Sequence, residues 1–380
     1  MEASGANSQG IDLVTGGMGF VGAQVVRMLL EKGRRVLAID LASTLADQAR
    51  VAMLAGCGVD WNHPHLELRA VDLLDPASLE FLRERRLERV FHTASLYDYS
   101  ASLERLRAIN VTGTANLLCA LEGVAIQRFL HWSTCGVFGK PMPASAGRAR
   151  NNLPFDERSS SPRNTPFGTL GPNGTRLVNA YSITKWDQEQ MIWRAHRENG
   201  LPVTVVRPAP VYGPGSNYGH GGIILTVARG WLPVIPSDAR NYITASAHVA
   251  DVAGFAVWAA DQPQCVGEDY NVADNSIVSY SEFLHYIALL TGRRLRHLPL
   301  LPLTWLRAFA VPLAKVWTWL DRRWGVPRPR MLEVQSATYM ASSYWLSNRK
   351  SQAAGYVYRY PDVREGLKDT VDWMHRQGWL

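Results

Sequence analysis

The chain lacks most features that would set it apart from ordinary folded enzymes. Its 380 residues contain only 4 cysteines, Cys57, Cys119, Cys135 and Cys265. None forms a CxxC pair, so no metal site is expected, and scattered thiols suit a reducing compartment. The formal net charge is +7, yet there is no dense Lys/Arg block and no RNA-binding signature. A nucleic-acid partner is therefore not expected, and the surplus instead suits an anionic cofactor or an acidic membrane face. The opening MEASGANSQG has no basic-then-apolar pattern. It reads as a short flexible tail over residues 1–10 of a cytoplasmic protein. There is no internal repeat. Nor is there an uninterrupted apolar run of the roughly 20 residues a spanning helix needs. The most apolar stretch, residues 298–324, holds four of the 13 tryptophans but contains Arg307 and Lys315 and is expected to break at Pro299, Pro302 and Pro312.

What remains is a chain with 47% hydrophobic and 19% charged residues, enough to build a sizeable core. Short β-branched runs alternate with helical patterns. Strands are expected at Ile11–Val14, Val36–Ile39, Leu66–Val71, Val90–Thr93, Phe129–Ser133 and Val203–Arg207. Helices are expected at Phe20–Lys32, after the Asp75-Pro76 cap, near Leu103–Leu121 and at Ala180–Glu198. Strand, helix, strand at this spacing means βαβ units and an α/β, Rossmann-type doubly wound parallel sheet. The polar stretch from Lys140 to Asn179 is too long for an ordinary connection and reads as a functional loop.

Between the first strand and the first helix lies Thr15-Gly16-Gly17-Met18-Gly19-Phe20-Val21-Gly22. A dinucleotide pyrophosphate needs backbone N–H groups at a helix N-terminus, and glycines let it approach them. Asp40 ends the second strand, where a carboxylate would accept hydrogen bonds from the adenosine ribose and repel a 2′-phosphate, favouring NAD over NADP. Asp72-Leu73, after the third strand, is placed to reach the adenine, although a turn-forming Asp fits equally well. Tyr181 and Lys185 stand four residues apart on one helix face. Carbonyl–alcohol interconversion needs a proton donor and acceptor, and a free phenol, with a pKa of about 10, is a poor base unless a nearby ammonium favours its ionised form. Thr134, at the end of the fifth strand, offers a second hydroxyl to hold the substrate oxygen.

Together these residues resemble the extended short-chain dehydrogenase/reductase family. TGGMGFVG is similar to its TGxxGxxG signature, and YSITK to its Y-x-x-x-K pair. His92-Thr93-Ala94-Ser95, Asn110-Val111-Thr112-Gly113-Thr114, Ser133–Gly139, Arg207–Gly215, His248–Ala253 and Tyr270-Asn271-Val272 resemble further family segments in order. The C-terminal Ser347–Lys350, Glu365–Leu367 and Trp373 resemble its last stretch. The resemblance implies catalytic Tyr181, Lys185 and Thr134. It implies cofactor contacts at Gly16 through Gly22, Asp40, Asp72, Leu73, Ala94, Asn110, Lys185, Pro208 and Val211. It also implies a homodimer.

The expected organisation follows. An NAD(P)-binding domain spans residues 11–212, with 248–275 returning to it. A smaller substrate-binding domain takes 213–247 and 276–380. Within the family, His248 in HVADVA and the absence of an acidic residue after Thr134 resemble the branch of 3β-hydroxysteroid and sterol-4α-carboxylate 3-dehydrogenases. That implies oxidation of a secondary alcohol on a bulky hydrophobic molecule, with decarboxylation where a carboxylate lies β to the new ketone. A nucleotide-sugar epimerase or dehydratase is the alternative, and a non-catalytic NAD(P) sensor a third. Residues 298–324 are left as either a buried helix or a peripheral membrane contact.

Overall fold

The computed structural model describes residues 10–99, 101–139, 142–143, 155–157, 177, 179–299, 302–324 and 341–380. Of the expected tail over 1–10, residues 1–9 lie outside them and Gly10 is buried, and most of the Lys140–Asn179 segment lies outside them too. Seven parallel strands form the centre: β1 (Ile11–Thr15), β2 (Arg35–Asp40), β3 (Leu66–Ala70), β4 (Leu87–His92), β5 (Arg128–Trp132), β6 (Val203–Pro208) and β7 (Glu268–Val272). Their order is β7-β6-β5-β4-β1-β2-β3. Strands β1, β5 and β6 are buried along their whole length, as strands covered on both faces must be. The buried Asp12 of β1 is held by both arms of Arg34, at 2.9 and 3.0 Å.

The strand order reverses between β1 and β4, which opens a crevice at their C-terminal ends. The helices α1 (Phe20–Glu31) and α3 (Val249–Ala259) pack together on one face through Val25, Val26, Leu29, Val252 and Phe255. The helix α2 (Ala180–Asn199) lies on the other face, where Ile192 and Trp193 join Phe129 and Val203. Another apolar cluster joins three helices. It takes Phe283, Leu284 and Ile287 from α4 (Tyr280–Leu290), Leu367, Val371 and Met374 from α6 (Val363–Arg376), and Ile224 and Leu225 from the helix His220–Ala228. Trp373 donates its indole N–H to the Gly56 carbonyl at 2.7 Å and ties α6 to the segment after β2.

The expected helix over Leu103–Leu121 is built in three pieces: Leu103–Leu106, a π turn over Arg107–Thr112, and Gly113–Ala120. The expected break at Pro312 does not occur. Pro312 sits inside α5 (Leu303–Trp324). The proline removes one N–H, but Ala308, whose carbonyl would have accepted it, is exposed, so water can take that bond.

Candidate active site

The glycine turn closes on itself through backbone bonds. Gly16 and Gly17 donate to Ile39 O, at 2.9 and 3.2 Å, and Gly19 donates to Gly16 O at 2.9 Å. Gly16 has φ +67, and a Cβ there would stand 2.8 Å from Ala94 Cα. A Cβ on Gly22 would stand 2.1 Å from Gly16 O. The turn is this tight because α1 is drawn against it. The first N–H that α1 satisfies internally is that of Ala23, which donates to Gly19 O at 3.0 Å. No side chain caps α1, and its first turn has no acidic residue. The N–H groups of Phe20, Val21 and Gly22 therefore face the crevice end of the sheet with the helix's partial positive charge behind them. That is the cradle a pyrophosphate requires.

Asp40 lies against this turn. One carboxylate oxygen accepts the Met18 N–H at 3.0 Å and the other the Leu41 N–H at 2.9 Å. Arg50, which the sequence did not single out, donates to the Met18 carbonyl at 3.3 Å and brings a cation to the same rim. Asp72 is exposed and accepts the Leu74 N–H at 2.9 Å, so it is a turn-forming Asp. The Leu73 carbonyl takes the Asn116 amide at 2.9 Å. Ala94 lines the inner side of the turn, its N–H donating to Thr15 Oγ1 at 3.3 Å. Pro208 ends β6 and is buried, and Val211 pairs with Ala247 just beyond it.

Asn110 is bonded within the chain. Its oxygen accepts the Leu96 N–H at 2.6 Å, and its nitrogen donates to Thr184 Oγ1 at 3.1 Å. It thus fastens the segment after β4 to α2, the helix that carries Tyr181. Asn179 caps α2, accepting the Ser182 N–H at 2.7 Å, and so fixes the helix start beside Tyr181.

Tyr181 is half-buried, while Lys185, one turn deeper, is 2% exposed. The Lys185 ammonium donates to Ser95 Oγ at 3.4 Å. Burial pulls its pKa down to about 7, against the opposing pull of the Glu189 charge. Beneath it His92 and His131 stack at 5.7 Å. Burial, with the Lys185 charge adding to it, holds His92 down to about 3, and His131 is also pushed well below its ordinary value. The tautomer of His92 follows from its neighbours. Thr114 gives its only hydroxyl proton to the Asn110 backbone carbonyl at 2.6 Å, so His92 Nε2, 2.9 Å from Thr114 Oγ1, must donate to that hydroxyl oxygen. His92 Nδ1 then accepts from Thr15 Oγ1 at 2.8 Å. One level down, the fully buried Arg207 is paired with Glu189, and with Asp269 at 2.6 Å.

Thr134 begins the turn after β5, and its Oγ1 accepts the Gly136 N–H at 3.2 Å. This bond leaves the hydroxyl proton for another acceptor. The turn abuts the start of α2: a Cβ on Gly136 would stand 2.4 Å from Ser182 Oγ. Thr134 therefore sits at the same end of α2 as Tyr181. The surprise is aromatic. Tyr97 packs edge-on against Tyr181 with centroids 4.9 Å apart, Tyr99 does so at 5.8 Å, and Tyr218 meets Tyr97 at 4.9 Å. The Y-D-Y spacing at 97–99 was the available signal for two of them.

With this geometry in view, the chain matches the NAD dependent epimerase/dehydratase family over residues 13–273. It belongs to that family. Among curated relatives, a Synechocystis protein given provisionally as a dihydroflavonol 4-reductase is 28% identical over 375 residues, covering 97% of this chain and 95% of its own. A 3 beta-hydroxysteroid dehydrogenase/Delta 5-->4-isomerase of Mycobacterium tuberculosis is 26% identical over 303 residues, 77% of this chain and 72% of its own. Among solved structures, the terminal R domain from the myxalamid biosynthetic pathway has a TM-score of 0.74 at 22% identity, covering 99% of this chain and 93% of its own. The Thermus thermophilus UDP-glucose 4-epimerase complex with NAD has a TM-score of 0.66 at 23% identity, covering 96% and 99%. At such identities the two structures speak for the fold, and the Rossmann-type sheet is shared with both.

Proposed function

We propose that the chain is an NAD-dependent dehydrogenase for a secondary alcohol on a bulky, hydrophobic skeleton of the 3β-hydroxysteroid kind. The observation that carries this reading is the pairing of the half-exposed Tyr181 phenol with aromatic walls from Tyr97, Tyr99 and Tyr218, above a buried Lys185. Aromatic faces bury flat apolar area and favour a ring system over a strongly hydrated group. The name of the mycobacterial relative points the same way.

The glycine turn and the N–H groups of Phe20, Val21 and Gly22 fit the cofactor pyrophosphate, and Asp40 beside them fits an unphosphorylated adenosine ribose. When bound, the nicotinamide supplies a hydride acceptor. Tyr181, ionised to its phenolate, would take the proton of the substrate hydroxyl as the carbinol carbon gives up its hydride to that acceptor. Thr134 donates its hydroxyl proton to the same oxygen and holds it in line. Lys185, when charged, favours the ionised form of the phenol, and the rings of His92 and His131 below it are held neutral by burial. On a substrate carrying a β-carboxylate, the new ketone would act as electron sink for loss of carbon dioxide.

The test is a panel. The chain is mixed with NAD and, separately, a 3β-hydroxysteroid, a 4-carboxysterol and UDP-glucose, and reduced nicotinamide is followed by its absorbance. The proposal expects reduction with a steroid. Conversion of the sugar without net reduction would replace it with the epimerase reading, and binding of NAD without turnover on any substrate would point to a sensor.

A further inference from the structure

The outer face of α5 inverts the usual pattern of a surface helix. Residues three, four or seven apart share one helix face. Trp305, Phe309, Pro312 and Val316 follow that spacing, with Leu313 beside them, and all are exposed: Trp305 by 60%, Phe309 by 70%, Leu313 by 48% and Val316 by 54%. The opposite face is the one turned inward. Ala314 is fully buried there, and Arg307 is half-buried and acts electrostatically on the phenol of Tyr242. A helix that merely covers a core would be turned the other way.

Further exposed apolar residues lie near the start of the helix. Asp238 accepts the Leu303 N–H through both carboxylate oxygens, at 2.9 and 3.1 Å, and so fixes the start of α5 beside the strand Val234–Pro236. That strand pairs in parallel with Arg296–Leu298. Trp231, Val234 and Leu298 are exposed along this seam. The edges carry cations. Arg229, Arg293, Arg294 and Arg296 are exposed around the seam, Lys315 borders the stripe, and Arg323 is exposed near its C-terminal end. Scattered exposed apolar residues are ordinary, whereas an apolar helix face with basic residues at its border marks a contact surface.

We propose that this face docks on the surface of an anionic lipid bilayer, with α5 lying in the headgroup plane. The apolar stripe enters the acyl boundary, tryptophan sits at the polar interface, and the Arg/Lys rim meets anionic headgroups. A second copy of the chain is a poorer occupant, because two such faces would bring their cationic rims together. Among the described residues no helix is long and apolar enough to cross a membrane, so contact at this face is interfacial.

The full chain is sedimented with vesicles of phosphatidylcholine, alone or with phosphatidylglycerol at about 7:3, a readout that needs no turnover and so is independent of the proposed chemistry. Binding to the mixed vesicles is expected to exceed binding to phosphatidylcholine at least about tenfold and to fall as salt rises. Trp305→Ser with Phe309→Ser and Leu313→Ser should lower it at least about tenfold, with the thermal midpoint unchanged. Lys315→Glu with Arg296→Glu should remove the preference for the anionic lipid while keeping residual binding. Wild-type protein left in the supernatant with both vesicles, a triple variant that binds like wild type, or a dimer that the triple variant dissolves in light scattering overturns the proposal.

Discussion

The active-site floor and the outer face of α5 break the rule of apolar-inside, polar-outside in opposite directions. Around Lys185 the molecule buries His92, His131, Glu189 and Arg207. On α5 it exposes Trp305, Phe309 and Leu313. The two cases differ in how the cost is met. The buried groups are bonded to one another or neutralised by burial, so their cost is offset inside the fold. The exposed groups have no such compensation in their own element, which places their use outside stability.

The comparison breaks first, and most severely, at the ion pair beneath the site. Arg207→Ala leaves Glu189 charged and fully buried, and unfolding by denaturant should show a loss of about 3–5 kcal/mol. Arg207→Met combined with Glu189→Gln should recover most of it. A smaller effect is expected at Lys185. Its folded pKa of about 7 lies below that of the unfolded chain, so the unfolded state binds the extra proton between there and about pH 10.4. Wild-type stability should therefore gain from this group as pH rises through that window. Lys185→Met should be more stable than wild type by about 2–4 kcal/mol at pH 6, with the difference closing toward pH 10.

Asp274 sharpens the contrast with the opposite sign. Burial, helped by the charges of Asp362 and Asp251, raises its carboxyl to about 8, and its Oδ2 has no partner. The folded state holds a proton there that the unfolded state has lost, so this group's contribution falls as pH rises from about 4 to 8. Asp274→Asn keeps the acceptor for the Ser276 N–H and should remove that fall, giving about 2 kcal/mol at pH 8.5 and little at pH 5. The smallest effect belongs to the exposed face: Phe309→Ser should shift stability by no more than about 0.5 kcal/mol. The same kind of truncation in the core, Phe129→Ala, should cost about 3–5 kcal/mol.

Much of the site was readable because its grammar is local. Glycines that admit a helix N-terminus, and a Tyr and Lys one helical turn apart, are set within a few residues. The strands ended within three residues of their expected positions, because apolar runs and their flanking turns mark them. The rest depends on distant segments meeting. Tyr97 and Tyr218 stand 121 positions apart in the chain and touch only in the fold. Both ends of the Asn110 amide are engaged by Leu96 and Thr184, a use that no local pattern reveals. The apolar character of residues 298–324 was plain, whereas the direction it faces was set by Asp238, more than sixty residues upstream.

The central claim is best tested at one atom. With NAD and a 3β-hydroxysteroid that the wild type turns over, Tyr181→Phe is assayed for formation of reduced nicotinamide and, by calorimetry, for NAD affinity. Turnover should fall by about 10³-fold or more, with NAD affinity within about twofold of wild type. Near-normal turnover without the phenol oxygen would contradict it.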